Sequence, residues 1–147
     1  MSIAICTPYN PPGLTSGIIC VLVSTICDKI AAAVRIAEFY DMTYTVLEGG
    51  DTRGLYGYGE ALEAENDVLI IDGYPKTRLM QLRLKELVSS KFFVIQKPGK
   101  HAATVKTPKY IILCVDEAKV LTTDYGDRRF DIHYPRFAED KGYEVFL

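Results

Sequence analysis

Val68-Leu69-Ile70-Ile71 and Ile111-Ile112-Leu113-Cys114-Val115 are apolar at every position. A strand with one wet face alternates between apolar and polar residues. A strand that is apolar throughout must be covered on both faces, as in a parallel sheet packed between helices. The longest apolar stretch, Ile18 to Cys27, is broken by Ser24 and Thr25. It reaches about half of the ~20 residues a membrane span needs, so no membrane partner is expected. No charged n-region ahead of an apolar h-region marks a leader.

The 147 residues, 48% of them apolar, are read as a single domain, 1–147, with a core that needs neither disulfides nor metal. The four cysteines (6, 20, 27 and 114) form no CxxC, and the only histidines are His101 and His133, which leaves no structural zinc set. Cysteines within apolar stretches read as buried free thiols of a reducing, cytoplasmic compartment.

Ser2 to Thr7 is expected to be a strand and 8–13 a loop, because Pro8, Pro11, Pro12 and Gly13 forbid helix. Thr15 or Ser16 offers an N-cap, and Ala31, Ala32 and Ala33 favour a helix running to about Tyr40. Met42–Leu47 reads as a strand, 52–65 as a Gly/Tyr-rich loop entering a short helix near Glu60–Ala64, and Val68–Ile71 as a buried strand ending in Asp72. Arg78–Ser89 has helical apolar spacing. Phe92–Gln96 and Ala103–Lys106 read as a hairpin, with strands following at Tyr110–Val115 and Phe130–Tyr134. Strands alternating with helices give an α/β, three-layer sandwich with a mainly parallel sheet and a protruding β-hairpin.

Charge is unevenly spread. Lys76 to Lys109 holds nine Lys/Arg and one acid, Glu86, so this segment carries +8 in a chain of net charge −2. Such asymmetry favours a polyanion or an acidic partner on one face. Lys97, Lys100 and His101 at the hairpin tip, with Lys106 and Arg83, are the expected nucleic-acid contacts. Tyr56 and Tyr58 are read as packing on their own domain, and His133 as a satisfied strand residue.

Asn10 to Gly17 has the strand–loop–helix layout of a phosphate-binding GxxxxGK[ST] loop, but Asn10, Thr15, Ser16 and Gly17 stand at the Gly, Gly, Lys and hydroxyl positions. Gly13, Thr15, Ser16 and Gly17 are the residues expected to meet any nucleotide. Asp72 stands where a strand-terminal carboxylate holds Mg²⁺, while Gly73 stands where a second acid would polarise water. Arg128 and Arg129, in Asp127-Arg128-Arg129-Phe130, would suit an arginine finger.

In this order — strand–loop–helix, VLIID, basic helix, basic hairpin, YIILCV, DRRF — the chain resembles a degenerate superfamily 3 helicase domain. This is the AAA+ P-loop class of phage and plasmid primase-helicases and viral Rep helicases. The resemblance implies a P-loop sheet, a hairpin that touches single-stranded DNA, ring-forming homo-oligomers and a viral or mobile-element origin. It also implies a sensor Asn near Val115–Asp116, which this chain lacks. The expectation is therefore an ATPase-deficient, helicase-like protein with no firm catalytic residue, Asp72, Arg128 and Arg129 being remnants. It would bind single-stranded DNA or a replication or defence protein through 76–109, with no cofactor beyond residual ATP-Mg²⁺. The alternatives are a divergent NTPase using Asp72 and Arg128, and an inhibitor that inserts into a host ATPase assembly.

Overall fold

A computed structural model describes residues 11–25, 28–48, 62–95, 99, 101–121, 127–138 and 143–146. The expected strand at 2–7, Tyr56, Tyr58, Lys97 and Lys100 lie outside the described residues, as does the start of the expected 60–64 helix.

The first described strand, β1 (Ile19–Val23), is buried at all five positions. Here the structure corrects the sequence reading, which continued a helix through this stretch. Ile, Val and Cys in succession suit a doubly covered strand, and β-branched side chains are stiff in a helix. Helix α1 (Lys29–Phe39) begins only after Asp28, whose carboxylate accepts the Ala31 amide at 3.1 Å. Its buried face is Ala32, Ala33, Ile36 and Ala37, small enough to bring the helix close to the sheet. The helix ends at Asp41, in the left-handed region at φ +55°, as the Met42 amide turns back to the Ala37 carbonyl at 2.9 Å.

β2 (Tyr44–Glu48), β3 (Val68–Asp72), β6 (Tyr110–Val115) and β7 (Phe130–His133) join β1 in a five-stranded sheet of order β2-β3-β6-β1-β7, and every pairing in it is parallel. Between β3 and β6 the chain forms α2 (Arg78–Ser89), capped by the Thr77 side chain, and the antiparallel hairpin of β4 (Phe92–Ile95) and β5 (Ala103–Lys106). The expected helix, hairpin and β6 are therefore present. A second hairpin, β8 (Pro135–Ala138) with β9 (Tyr143–Phe146), follows the sheet.

The sheet separates two cores. Alternate residues of β1, Cys20 and Leu22, face α1 together with Val68, Ile70, Ile112 and Cys114. Ile19, Val21 and Val23 face the other layer, where Met80, Leu84 and Leu87 of α2 and Phe93 and Ile95 of β4 pack. Each fully buried Leu or Ile contributes about 2 kcal/mol. The architecture is a three-layer α/β sandwich. Among the described residues no helix is long and apolar enough to cross a membrane.

Candidate functional site

In open parallel sheets ligands gather beyond the carboxyl ends of the strands, where the chain switches from one side of a central strand to the other. Here that point is β1. Its outgoing crossover leads through α1 to β2 on one side, and the chain leaving β6 arrives at β7 on the other. The two loops meet through Lys29. Its ammonium donates to the Ser24 carbonyl at 2.7 Å and to Asp116 Oδ1 at 2.8 Å. Asp72 ends β3 at the same edge, exposed and paired in register with Cys114.

The strand-to-helix crossover thus lies between β1 and α1, and the described residues 11–17 do not lead into a helix. Residues 13–17 precede β1 at the opposite edge of the sheet, and no helix follows them. Thr15 to Ile18 instead form a turn, the Ile18 amide donating to the Thr15 carbonyl at 3.2 Å, with Gly17 at φ +86°. Aligned on the true crossover, a lysine is present at the motif position: Lys29, flanked by Asp28 and Ile30 where the motif has Gly and Ser/Thr. Sequence reading missed it because the glycines that flag the motif are absent. Asp28 directly ahead of Lys-Ile-Ala-Ala-Ala is the cap signal that would have placed it.

The described groups at the head of α1 differ from those of a phosphate-binding loop. A phosphate at a helix N-terminus needs free amides and net positive charge. Here the Asp28 carboxylate occupies the cap and Asp116 pairs Lys29. Among the described residues no three His, Cys, Asp or Glu side chains group as metal donors.

Arg128 and Arg129 lie ahead of β7, at the amino-terminal edge, so one chain does not bring them to Asp72. The Arg129 guanidinium is held by Asp127, through Nε to Oδ1 at 3.1 Å and Nη2 to Oδ2 at 2.8 Å. These bonds, with the Arg129 amide at 2.9 Å, hold the Asp127 carboxyl down at about 2. Arg128 is exposed. His133 meets Asp131 at 2.8 Å, in keeping with a satisfied strand residue.

The basic segment divides. Arg83 turns inward, donating to the Val94 carbonyl at 2.6 Å and to Glu86 at 2.9 Å, with its guanidinium 3.9 Å above the Phe93 ring centroid. Lys85 is 12% exposed and faces Asp127 at 3.9 Å. Lys91 and Lys106 are exposed at the base of the hairpin, Lys109 lies just beyond it, and His101 is exposed ahead of β5. On β4 the alternation puts Phe93 and Ile95 inside and leaves Phe92 and Val94 outside, 63% and 51% exposed. Phe92 lies across from Lys106. Burial pushes the thiols of Cys20 and Cys114 up to about 12, so neither acts as a nucleophile.

Sheet and site together define an α/β protein of open parallel type with a basic hairpin on one face. Three solved structures of the C-terminal region of NrS-1, all apo, share this fold, with TM-scores of 0.55, 0.58 and 0.61 at 12% identity. They match 82% of this chain, which spans under a third of theirs (29–30%). No family model and no curated protein sequence matches the chain.

Proposed function

We propose that the chain is a helicase-like module of a DNA-replication assembly that binds single-stranded DNA without hydrolysing nucleotide. The observation that carries this reading is the state of Lys29. The motif lysine stands in its place at the head of α1, yet its charge is spent on Asp116 and the helix terminus beside it is filled by Asp28. A triphosphate arriving there would meet the Asp116 carboxylate already on the lysine and would have to displace Asp28 from the helix cap. The positive charge lies instead around the hairpin, with an exposed aromatic, the combination that tracks a single-stranded backbone and stacks bases. The resemblance of motif order to superfamily 3 helicases supports the replication context. Arg128, exposed ahead of β7, is free to reach a neighbouring subunit if the module enters a ring.

The test is a titration with ATP-Mg²⁺ and with labelled oligothymidylate. The expected result is no heat of nucleotide binding at about millimolar concentration and DNA binding that weakens steeply as salt rises. Nucleotide binding in the micromolar range would overturn the pseudo-ATPase reading. DNA binding that ignores salt would overturn the electrostatic one.

A further inference from the structure

At the amino-terminal edge of the sheet, opposite the Lys29 crossover, lies an open pocket of about 380 Å³. Its walls come from three separate places: the turn before β1, the end of α2 with the base of the hairpin, and the entry to β6. Lys91, Lys106 and Lys109 all line it, together with Phe92, Ser16 and Thr107. None of its described lining residues is acidic. Lys109 has a carboxylate nearby, Asp67, but at 3.7 Å and with the ammonium side chain 64% exposed. Such a pair holds the lysine weakly. Three ammonium groups around one opening repel each other, and an anion seated among them relieves that repulsion.

The wall is braced before any ligand arrives. The Thr107 amide donates to the Lys91 carbonyl at 2.9 Å and its hydroxyl to the Ser90 carbonyl at 2.7 Å. These bonds close the base of the hairpin and set Lys91, Phe92 and Lys106 side by side. A smaller neighbouring pocket of about 170 Å³ shares Lys106 and Lys109 but is lined also by Glu65 and Asp67, which makes it a poor anion site. The larger one has the size of a small-ligand site (about 300–1,000 Å³).

We propose that this pocket binds one nucleotide unit of single-stranded DNA, its phosphate among Lys91, Lys106 and Lys109 and its base on the exposed face of Phe92. The proposal rests on the DNA-binding reading above and deepens it, placing a contact at the base of the hairpin rather than at the tip. Ser16, expected from sequence to meet a nucleotide in a strand-to-helix loop, would contribute its hydroxyl here instead.

The experiment is fluorescence anisotropy with labelled oligothymidylate of about 15 nucleotides, a length within the range one such module covers. It is run at about 50 and 200 mM salt, with thymidine monophosphate titrated in parallel. Lys91→Gln/Lys106→Gln is expected to lower affinity about tenfold or more and to flatten the salt slope by about 1.4, the loss of two phosphate contacts on a single strand. Phe92→Leu, which keeps the apolar surface and removes the ring, is expected to cost roughly tenfold without changing the slope. Circular dichroism confirms that each variant is folded. If these variants bind like the wild type while Lys97→Ala/Lys100→Ala loses binding, the pocket proposal fails and DNA binding stands. If they lose only the monophosphate and keep the oligonucleotide, the pocket is a free-nucleotide site and the proposal fails. If the wild type binds no DNA, both readings fail.

Discussion

Arg83 gives the sharpest separation between a structural and a ligand-binding basic residue. Its guanidinium makes a charged hydrogen bond to the Val94 carbonyl at 2.6 Å, sits 3.9 Å above the Phe93 ring and meets Glu86 at 2.9 Å. Only 19% of the side chain is exposed. A hydrogen bond from a charged donor is worth about 1.5–3 kcal/mol. The stacking adds about 0.5–1 kcal/mol, and the exposed ion pair a few tenths. Arg83→Met keeps the stem's apolar packing, so the expected loss is about 2 kcal/mol, or roughly 4–8 °C in Tm for a domain of this size. Urea unfolding checks it, the midpoint falling with the slope unchanged. A double-mutant cycle with Phe93→Leu should give a coupling of about 0.5–1 kcal/mol. DNA affinity should change little so long as the protein is folded. An unchanged urea midpoint with a tenfold loss of DNA affinity would refute the reasoning, because the guanidinium would then belong to the ligand.

Three further outcomes follow from the geometry. Asp127 titrates near 2 in the folded protein against 3.8 unfolded, so its contribution is complete above about pH 4 and disappears as pH falls through 2. The shift sets a ceiling of about 2 kcal/mol, which partial exposure reduces to about 1 kcal/mol. Asp127→Asn should therefore lower neutral-pH stability by that amount and flatten the acid limb of a Tm-versus-pH curve between 4 and 2, and a limb of unchanged steepness would count against it. Gly17 stands at φ +86° with open space where a Cβ would sit, so Gly17→Ala should cost about 1 kcal/mol from backbone strain alone, measured by thermal melting. In a Cys6→Ser/Cys27→Ser background, Cys20 and Cys114 should resist a thiol reagent at pH 8 until the protein unfolds, since both titrate near 12. Rapid labelling of the native protein would contradict that burial.

The sequence carries its information where a pattern has one physical solution. Arg78–Ser89 was legible from the helical spacing of Leu79, Leu82 and Leu87, but the face it buries is Met80, Leu84 and Leu87, with Leu79 and Leu82 exposed. Val68–Asp72 and Tyr110–Val115 were legible as doubly buried strands because nothing polar interrupts them. Ile19–Val23 satisfies the same rule, but the alanines at 31–33 drew the helix back across it. A short apolar run does not say by itself whether it is a strand or a buried helix. That one displacement moved the expected phosphate loop to the wrong edge of the sheet and hid Lys29. The role of Arg83 was beyond reach for a different reason: its partners Phe93 and Val94 come to it only once the hairpin folds back on α2. The clustering of Ser16, Lys91, Lys106 and Lys109 likewise depends on tertiary structure, since it joins segments some ninety residues apart in the chain.

The position of β1 also governs how the molecule comes into being. Ile19 lies between Ile111 and Phe130, both parallel neighbours made long after it. While the ribosome is still adding the intervening residues, five consecutive buried-type side chains have neither of their strand partners. Closure of such distant pairs is slow, and a nascent chain in that condition offers two unsatisfied edges to any similar chain nearby. Translation that stalls before Tyr110 would therefore release a sticky fragment, and helper proteins that shield early apolar segments should matter more for this polypeptide than its modest length suggests.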